Sequence, residues 1–69
     1  GILLPKVAVL ERGTLTSVWV VDNNNIARMR LVKLGRSFAD RVEILSGLTA
    51  GERVVVSAVD KVADGAKVE

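Results

Sequence analysis

The sequence contains no cysteine and no histidine, and its aromatic residues are limited to Trp19 and Phe38. Without cysteine, neither a disulfide nor a thiolate metal site can stabilise the fold. Without histidine, serine and threonine hydroxyls lack their usual base, and a metal site would depend on oxygen ligands alone. The fold must therefore be stabilised by the burial of aliphatic side chains.

The arrangements that remain for catalysis or metal binding have little support in the sequence. A serine paired with Lys33 or Lys61 is one of them, but no motif places a serine beside either lysine. Asp60 and Asp64 are spaced for one helical face, yet two carboxylates without a calcium-loop pattern are more typical of solvated surface. We therefore predict that the protein is not an enzyme and that it binds no cofactor and no metal.

The sequence also lacks the segments that would insert it in a membrane or export it. No apolar run approaches the roughly 20 residues that a membrane-spanning helix needs, and no signal peptide is present. The chain begins with Gly1 rather than methionine. We therefore expect a piece of a longer protein, with any targeting signal outside it.

Aliphatic residues are what the sequence has in abundance. Valine, leucine and isoleucine make up 24 of the 69 residues, and 13 of these are valine. Side chains branched at Cβ favour strands, and short apolar runs recur every 8–12 residues or so, as in small barrels. We predict one all-β domain over 1–69, a small β-barrel or β-roll of about six short, mostly antiparallel strands, which leaves room for one short helical turn.

Two neighbouring segments carry the clearest local signals. LTSVWVV, at 15–21, reads as a strand buried on both sides, and Asp22–Asn25 supplies the residues of a hairpin turn. In IARMRLVKLG, at 26–35, the apolar period of two slips by one residue near Leu31 and Val32. A β-bulge or sharp bend explains the slip, so we expect this strand to serve two sheets at a corner.

The other elements are predicted from shorter patterns. They are, in chain order, a strand at 2–5, a helical turn or strand at 6–11, turns at 12–14 and 36–40, a strand at 41–46, a compact loop at 47–52, a strand at 53–59, a helical turn at 60–65 and a strand at 66–68.

Charge is distributed unevenly along the chain. Residues 26–41 carry five basic residues against Asp40, a net +4, whereas residues 42–69 carry three basic and five acidic residues, a net −2. Such a distribution can orient a protein partner. The candidate interface residues are Arg28, Arg30, Lys33, Arg36, Phe38 and Arg41.

Two functions compete for this basic segment. Small barrels bind single-stranded nucleic acid by combining a basic groove with stacking aromatic side chains, and here Phe38 would be alone because Trp19 is expected in the core. We favour a protein-facing surface, with nucleic-acid binding through 28–41 as the alternative. Phe38 is equally compatible with an exposed contact residue and with a lid on the barrel.

The order and spacing of several segments resemble a known family. LLPKVAV, SVWVVD, RMRLVKLG, DRVEILSGLTAGERVVV and DKVADGAKV are similar to the C-terminal part of periplasmic adaptor subunits. These are the HlyD-like membrane fusion proteins of bacterial RND-type efflux pumps. The resemblance covers 3–68, and its most specific part is 40–56.

The resemblance implies a membrane-proximal β-roll that docks on the inner-membrane transporter. It also implies other adaptor protomers as partners, and an outer-membrane channel that is reached through domains absent from this chain. The location it implies is the periplasm, with attachment to the inner membrane through other parts of the adaptor. The cargo would be drugs or metal ions, and the family supplies no catalytic residues.

Two departures from the family pattern bear on the fold. The family commonly has glycine before the aspartate of the DRVE strand, and this chain has Ala39, so we expect a different turn there. The family domain also takes strands from near the adaptor's N-terminus, which this chain lacks. Their absence predicts an unpaired strand edge, where chains can dimerise or aggregate.

Overall fold

A computed structural model describes residues 1–68 as two antiparallel β-sheets, which confirms the all-β prediction. The strands number seven rather than about six. They are β1 (Ile2–Pro5), β2 (Leu10–Arg12), β3 (Leu15–Val21), β4 (Ala27–Leu31), β5 (Lys33–Phe38), β6 (Arg41–Ser46) and β7 (Arg53–Val54). Sheet A has the order β1-β6-β5, and sheet B has the order β2-β3-β4, with β7 also paired to β3.

Strand β3 is the centre of sheet B and contributes to the core from both of its faces. Val18, Trp19 and Val20 are all buried although consecutive side chains point to opposite sides. This confirms the sequence interpretation of a strand covered on both sides. Trp19 packs in one cluster with Ala27 and Val59, and its indole Nε1 donates a hydrogen bond of 2.9 Å to the Val59 carbonyl oxygen.

The hairpin between β3 and β4 is closed by the predicted turn at Asp22–Asn25. The Asp22 carboxylate accepts hydrogen bonds from the backbone N–H groups of Asn24 and Ile26, at 2.8 and 3.0 Å. Asn25 has φ of 61°, a conformation that asparagine tolerates better than most residues. The local sequence therefore specifies this turn by itself.

The predicted bend lies between β4 and β5. Strand β4 pairs with β3 in sheet B, and β5 pairs with β6 in sheet A, so the chain passes from one sheet to the other at Val32. The Val32 N–H donates to the Thr16 carbonyl oxygen at 3.0 Å. The slip in apolar period near Leu31 and Val32 thus marks a corner, as expected.

Sheet A differs from the sequence interpretation around 36–40. The predicted turn is wrong over its first three residues, because β5 continues to Phe38 and pairs with β6 up to Arg41. Only Ala39 and Asp40 form the connection. Pairing with β6 supplies hydrogen-bond partners for the backbone of this segment, whose polar sequence had indicated a turn.

The C-terminal third is less regular than predicted. The expected strand at 53–59 is reduced to Arg53–Val54, because β2 already pairs with the next part of the same β3 edge, up to Ser17. The helical turn expected at 60–65 is confirmed only in part, as a 3₁₀ turn at Val59–Lys61 that ends four residues earlier than predicted. The predicted final strand is a single bridge between Lys67 and Ile26.

The segment at 6–11 contains both of the alternatives that its sequence left open. A 3₁₀ turn occupies Lys6–Ala8, and β2 follows it. Among residues 1–68, the outer edges of β1 and β5 have no strand partner. No helix in the same part of the chain has the length and apolarity needed to cross a membrane.

Candidate interaction surfaces

The crossing at Val32 divides the six candidate interface residues between the two sheets. Arg28 and Arg30 lie on β4 in sheet B, whereas the other four lie on β5 and β6 in sheet A. The basic segment of the sequence is therefore not one continuous strip on the molecule.

Arg30 is engaged within the molecule by the loop that follows β6. Its guanidinium donates two hydrogen bonds of 3.0 Å to the two carboxylate oxygens of Glu52, and a third of 3.0 Å to the Gly47 carbonyl oxygen. The Glu52 carboxylate also accepts from the Thr49 N–H at 2.9 Å. The hydrogen bond from Arg30, followed by that from Thr49, lowers the pKa of Glu52 below its ordinary value. Arg30 thus joins β4 to the loop at 47–52.

Arg28 has a weaker partner in the β3–β4 turn. It lies opposite Val20 in the strand register, and its Nε is 3.5 Å from the Asp22 carboxylate, with 58% of the arginine side chain exposed. The pKa of Asp22 is lowered chiefly by the hydrogen bond from the Ile26 N–H, to which the Arg28 charge adds. Most of the Arg28 side chain is open to solvent.

An open groove of about 600 Å³ lies along this part of sheet B. Its lining includes Val20, Val21, Arg28, Arg30 and the segment 50–53. Arg53, at its edge, donates to the Asp22 carbonyl oxygen and to Asn25 Oδ1 at 2.7 and 2.8 Å. Each of the three arginines therefore already has a partner within the protein.

Lys33 and Arg36 occupy different environments on β5. Lys33 lies opposite Ser46 at one end of the strand. Arg36 lies in a bulge, where Gly35 and Arg36 together face Glu43, and its N–H donates to Glu43 Oε1 at 3.3 Å. Both residues are exposed.

Phe38 and Arg41 are neighbours across the β5–β6 pair. They lie directly opposite each other in the register, so their side chains share one face of sheet A. Phe38 is 47% exposed. This exposure favours a contact position over a lid, and a role of Phe38 in protein contact stays a prediction.

Two residues that the sequence reasoning missed lie on the same face. Leu45 is two residues from Glu43 on β6, and Leu3 lies opposite Glu43 on β1; they are 55% and 46% exposed. Strict alternation with the buried Val42 and Ile44 was the signal that could have identified Leu45. We call this surface the outer face of sheet A, and it comprises Leu3, Phe38, Arg41, Glu43 and Leu45.

The part of the chain that the structure describes contains no cluster of three or more acidic side chains close enough to hold a metal ion. The only exposed aromatic side chain is Phe38, since Trp19 is buried. A stacking platform for nucleic-acid bases normally combines several aromatic side chains with a basic groove. The protein-contact interpretation therefore fits these surfaces better than the nucleic-acid one.

Comparison with known proteins gives a match over the full chain. Residues 1–69 match the family described as "YknX, C-terminal permuted SH3-like domain". Relatives called "Multidrug resistance protein MdtA" are 42% identical over 70 residues in Salmonella heidelberg (strain SL476), 40% over 69 in Proteus mirabilis (strain HI4320) and 35% over 69 in Escherichia coli (strain SMS-3-5). Each alignment covers 100% of this chain, which spans 17% of the length of the relative.

Proposed function

Because this chain belongs to the family of YknX C-terminal permuted SH3-like domains, we propose that it is a non-catalytic docking module of a multidrug efflux adaptor. The observation that carries the proposal is that the whole of this chain matches a segment of proteins named for multidrug resistance, at 35–42% identity. On this proposal the chain is one domain, 1–69, of a longer protein.

The surfaces described above support a role in protein contact. The protein exposes apolar side chains and arginines on open strand faces, and an open groove of about 600 Å³ lies along sheet B. Arginine and aromatic residues are enriched where proteins bind each other. A rigid β scaffold holds such side chains in place at little entropic cost on binding.

The finer parts of the proposal follow from the resemblance to RND-type adaptors. The module contacts the inner-membrane transporter from the periplasm, next to other protomers of the adaptor. Domains outside this chain reach the outer-membrane channel and attach the adaptor to the inner membrane. Drugs are the cargo that the relatives' names favour over metal ions.

A domain exchange tests this function. The matching 69-residue segment of the Escherichia coli relative is replaced by this chain, and the chimera is expressed in cells that lack their own copy. We expect it to restore growth in the presence of exported drugs, because the two domains align along their whole length. The relative without the segment serves as the control and should not restore growth.

A chimera that accumulates to the level of the intact relative but does not restore growth would contradict the proposal.

The alternative function, nucleic-acid binding, has its own test, which is titration of the protein with single-stranded DNA. The docking proposal predicts no binding at low salt, whereas tight binding that weakens steeply with added salt would favour a nucleic-acid module.

A further inference from the structure

The outer face of sheet A is defined by the strand register. Leu3 lies opposite Glu43, and Phe38 lies opposite Arg41. Alternation along β6 then places Arg41, Glu43 and Leu45 on one side, away from the buried Val42 and Ile44. These side chains share one surface although they come from three strands.

The apolar part of this surface is about half exposed to solvent. Leu3, Phe38 and Leu45 are 46%, 47% and 55% exposed. Gly35 lies among them on the same face, because a Cβ at this position would meet Glu43 Oε1 and the Leu45 side chain. The Glu43 and Leu45 side chains therefore occupy the space above Gly35, and glycine allows both of them to lie close to the backbone of β5.

The cations beside this face differ from those of sheet B. Arg28 and Arg30 form the ion pairs found among residues 1–68, with Asp22 and Glu52. Arg36 and Arg41 are exposed and take part in neither. An unpaired guanidinium beside an exposed aromatic ring can form a bidentate pair with a carboxylate of another protein.

We propose that the outer face of sheet A docks onto a partner protein surface that presents apolar side chains bordered by carboxylates. Phe38 inserts as the anchor, Leu3 and Leu45 extend the apolar contact, and Arg36 and Arg41 pair with the carboxylates. This inference rests on the proposed docking function and identifies its contact face and the chemistry of the partner. It leaves out Arg30, whose guanidinium is bound by Glu52 and Gly47, and Arg28, which lies on sheet B.

Another exposed apolar group lies on sheet B, but the argument from charge is weaker there. Leu15, Met29 and Leu31 are about half exposed on the side of β3 that carries Trp19. One exposed cation, Arg12, lies opposite Leu15 and takes part in neither of the ion pairs found among residues 1–68. On sheet A, by contrast, Arg41 lies opposite Phe38 and Arg36 is two residues from it on β5, so two cations accompany the aromatic side chain.

Site-specific photo-cross-linking in the chimera described above tests the inference. The cross-linker benzoylphenylalanine replaces Phe38, Leu45 or, as the control, Val56, which is 46% exposed and lies outside both sheets. We expect positions 38 and 45 to cross-link to the inner-membrane transporter at peptides that contain Asp or Glu, and position 56 to give little product. Arg41→Glu should reduce the yield at position 45 about tenfold, because it places like charges opposite each other, whereas Val56→Glu should not.

Four results would overturn the inference. They are no product at positions 38 and 45, products that join two copies of the chimera, products with lipid or with peptides lacking carboxylates, and a yield unaffected by Arg41→Glu. Any of these in a chimera that restores drug resistance leaves the docking function intact and rejects only this face. The cross-linking result tests the contact face, whether or not resistance is restored. A chimera that fails to restore resistance contradicts the proposed function.

Discussion

At the scale of single residues, Ala39 is one of two alanines that the fold holds at a positive φ, the other being Ala58. Ala39 is the first of the two residues that connect β5 to β6, and its φ is 54°. Glycine adopts a positive φ at no steric cost, whereas residues with a Cβ rarely do. An alanine pays a steric cost there because its Cβ approaches the following carbonyl oxygen. The glycine that the resemblance implies at this position would avoid that cost.

We predict that Ala39→Gly raises the free energy of unfolding by about 0.5–1 kcal/mol, since relief of strain exceeds the added freedom of the unfolded chain. Chemical denaturation followed by the fluorescence of Trp19 measures the change. Ala63→Gly is the matched control, because Ala63 is exposed and has no positive φ. Ala63→Gly should lower the free energy of unfolding. An equal change in the free energy of unfolding in both variants would contradict the strain at Ala39.

At the scale of elements, the connection between β4 and the loop at 47–52 organises one end of the protein. Gly47 and Glu52 accept hydrogen bonds from the same Arg30 guanidinium, and the Glu52 N–H donates back to the Thr49 carbonyl oxygen at 3.2 Å. Gly47 has φ of 103°, and a Cβ there would overlap the Leu31 carbonyl oxygen. The loop is therefore packed directly against the end of β4.

We predict that Arg30→Met speeds amide hydrogen exchange at Thr49 and Glu52, because methionine keeps the aliphatic contact and removes all three hydrogen bonds. Exchange measured residue by residue by NMR checks this. Arg28→Met on the same strand is the control and should leave both amides unchanged, since among residues 1–68 no hydrogen bond or ion pair joins Arg28 to the loop. Equal exchange in the two variants would show that the Arg30–Glu52 pair does not hold the loop.

At the scale of the whole molecule, the two carboxyl groups with lowered pKa values connect stability to pH. Asp22 closes the β3–β4 turn, and Glu52 holds the loop against β4. The pKa of each is lower in the folded protein than its ordinary value. For each carboxyl group, the unfolded chain binds more protons than the folded protein at pH values between the folded-state pKa and the unfolded-state pKa. The contribution of each group to stability is therefore complete above that pH range and is lost below it.

We predict that stability is constant from neutral pH down to about pH 5 and then declines as the pH falls through the carboxyl range towards the lower folded values. Thermal unfolding followed by circular dichroism at several pH values measures this. The Asp22→Asn, Glu52→Gln double variant should be less stable at neutral pH and should lose less on acidification. An unchanged slope in the double variant would assign the acid sensitivity to other groups.

The sequence alone determined the features that depend on near neighbours. Strand β3, the turn at Asp22–Asn25 and the bend at Val32 were all predicted, because period-two alternation, turn residues and a slip in that alternation are local signals. The resemblance found in the sequence also agrees with the family that the full-length match shows.

Tertiary structure decided which residues act together. The extent of β5 and the shortness of β7 depend on strands distant in sequence, β6 for the first and β2 for the second. The basic segment 28–41 was one unit in the sequence, but the corner at Val32 directs Arg30 to Glu52 and leaves Phe38 beside Arg41. The order of charged residues along the chain does not show which groups each side chain contacts, because backbone pairing between strands distant in sequence determines those contacts.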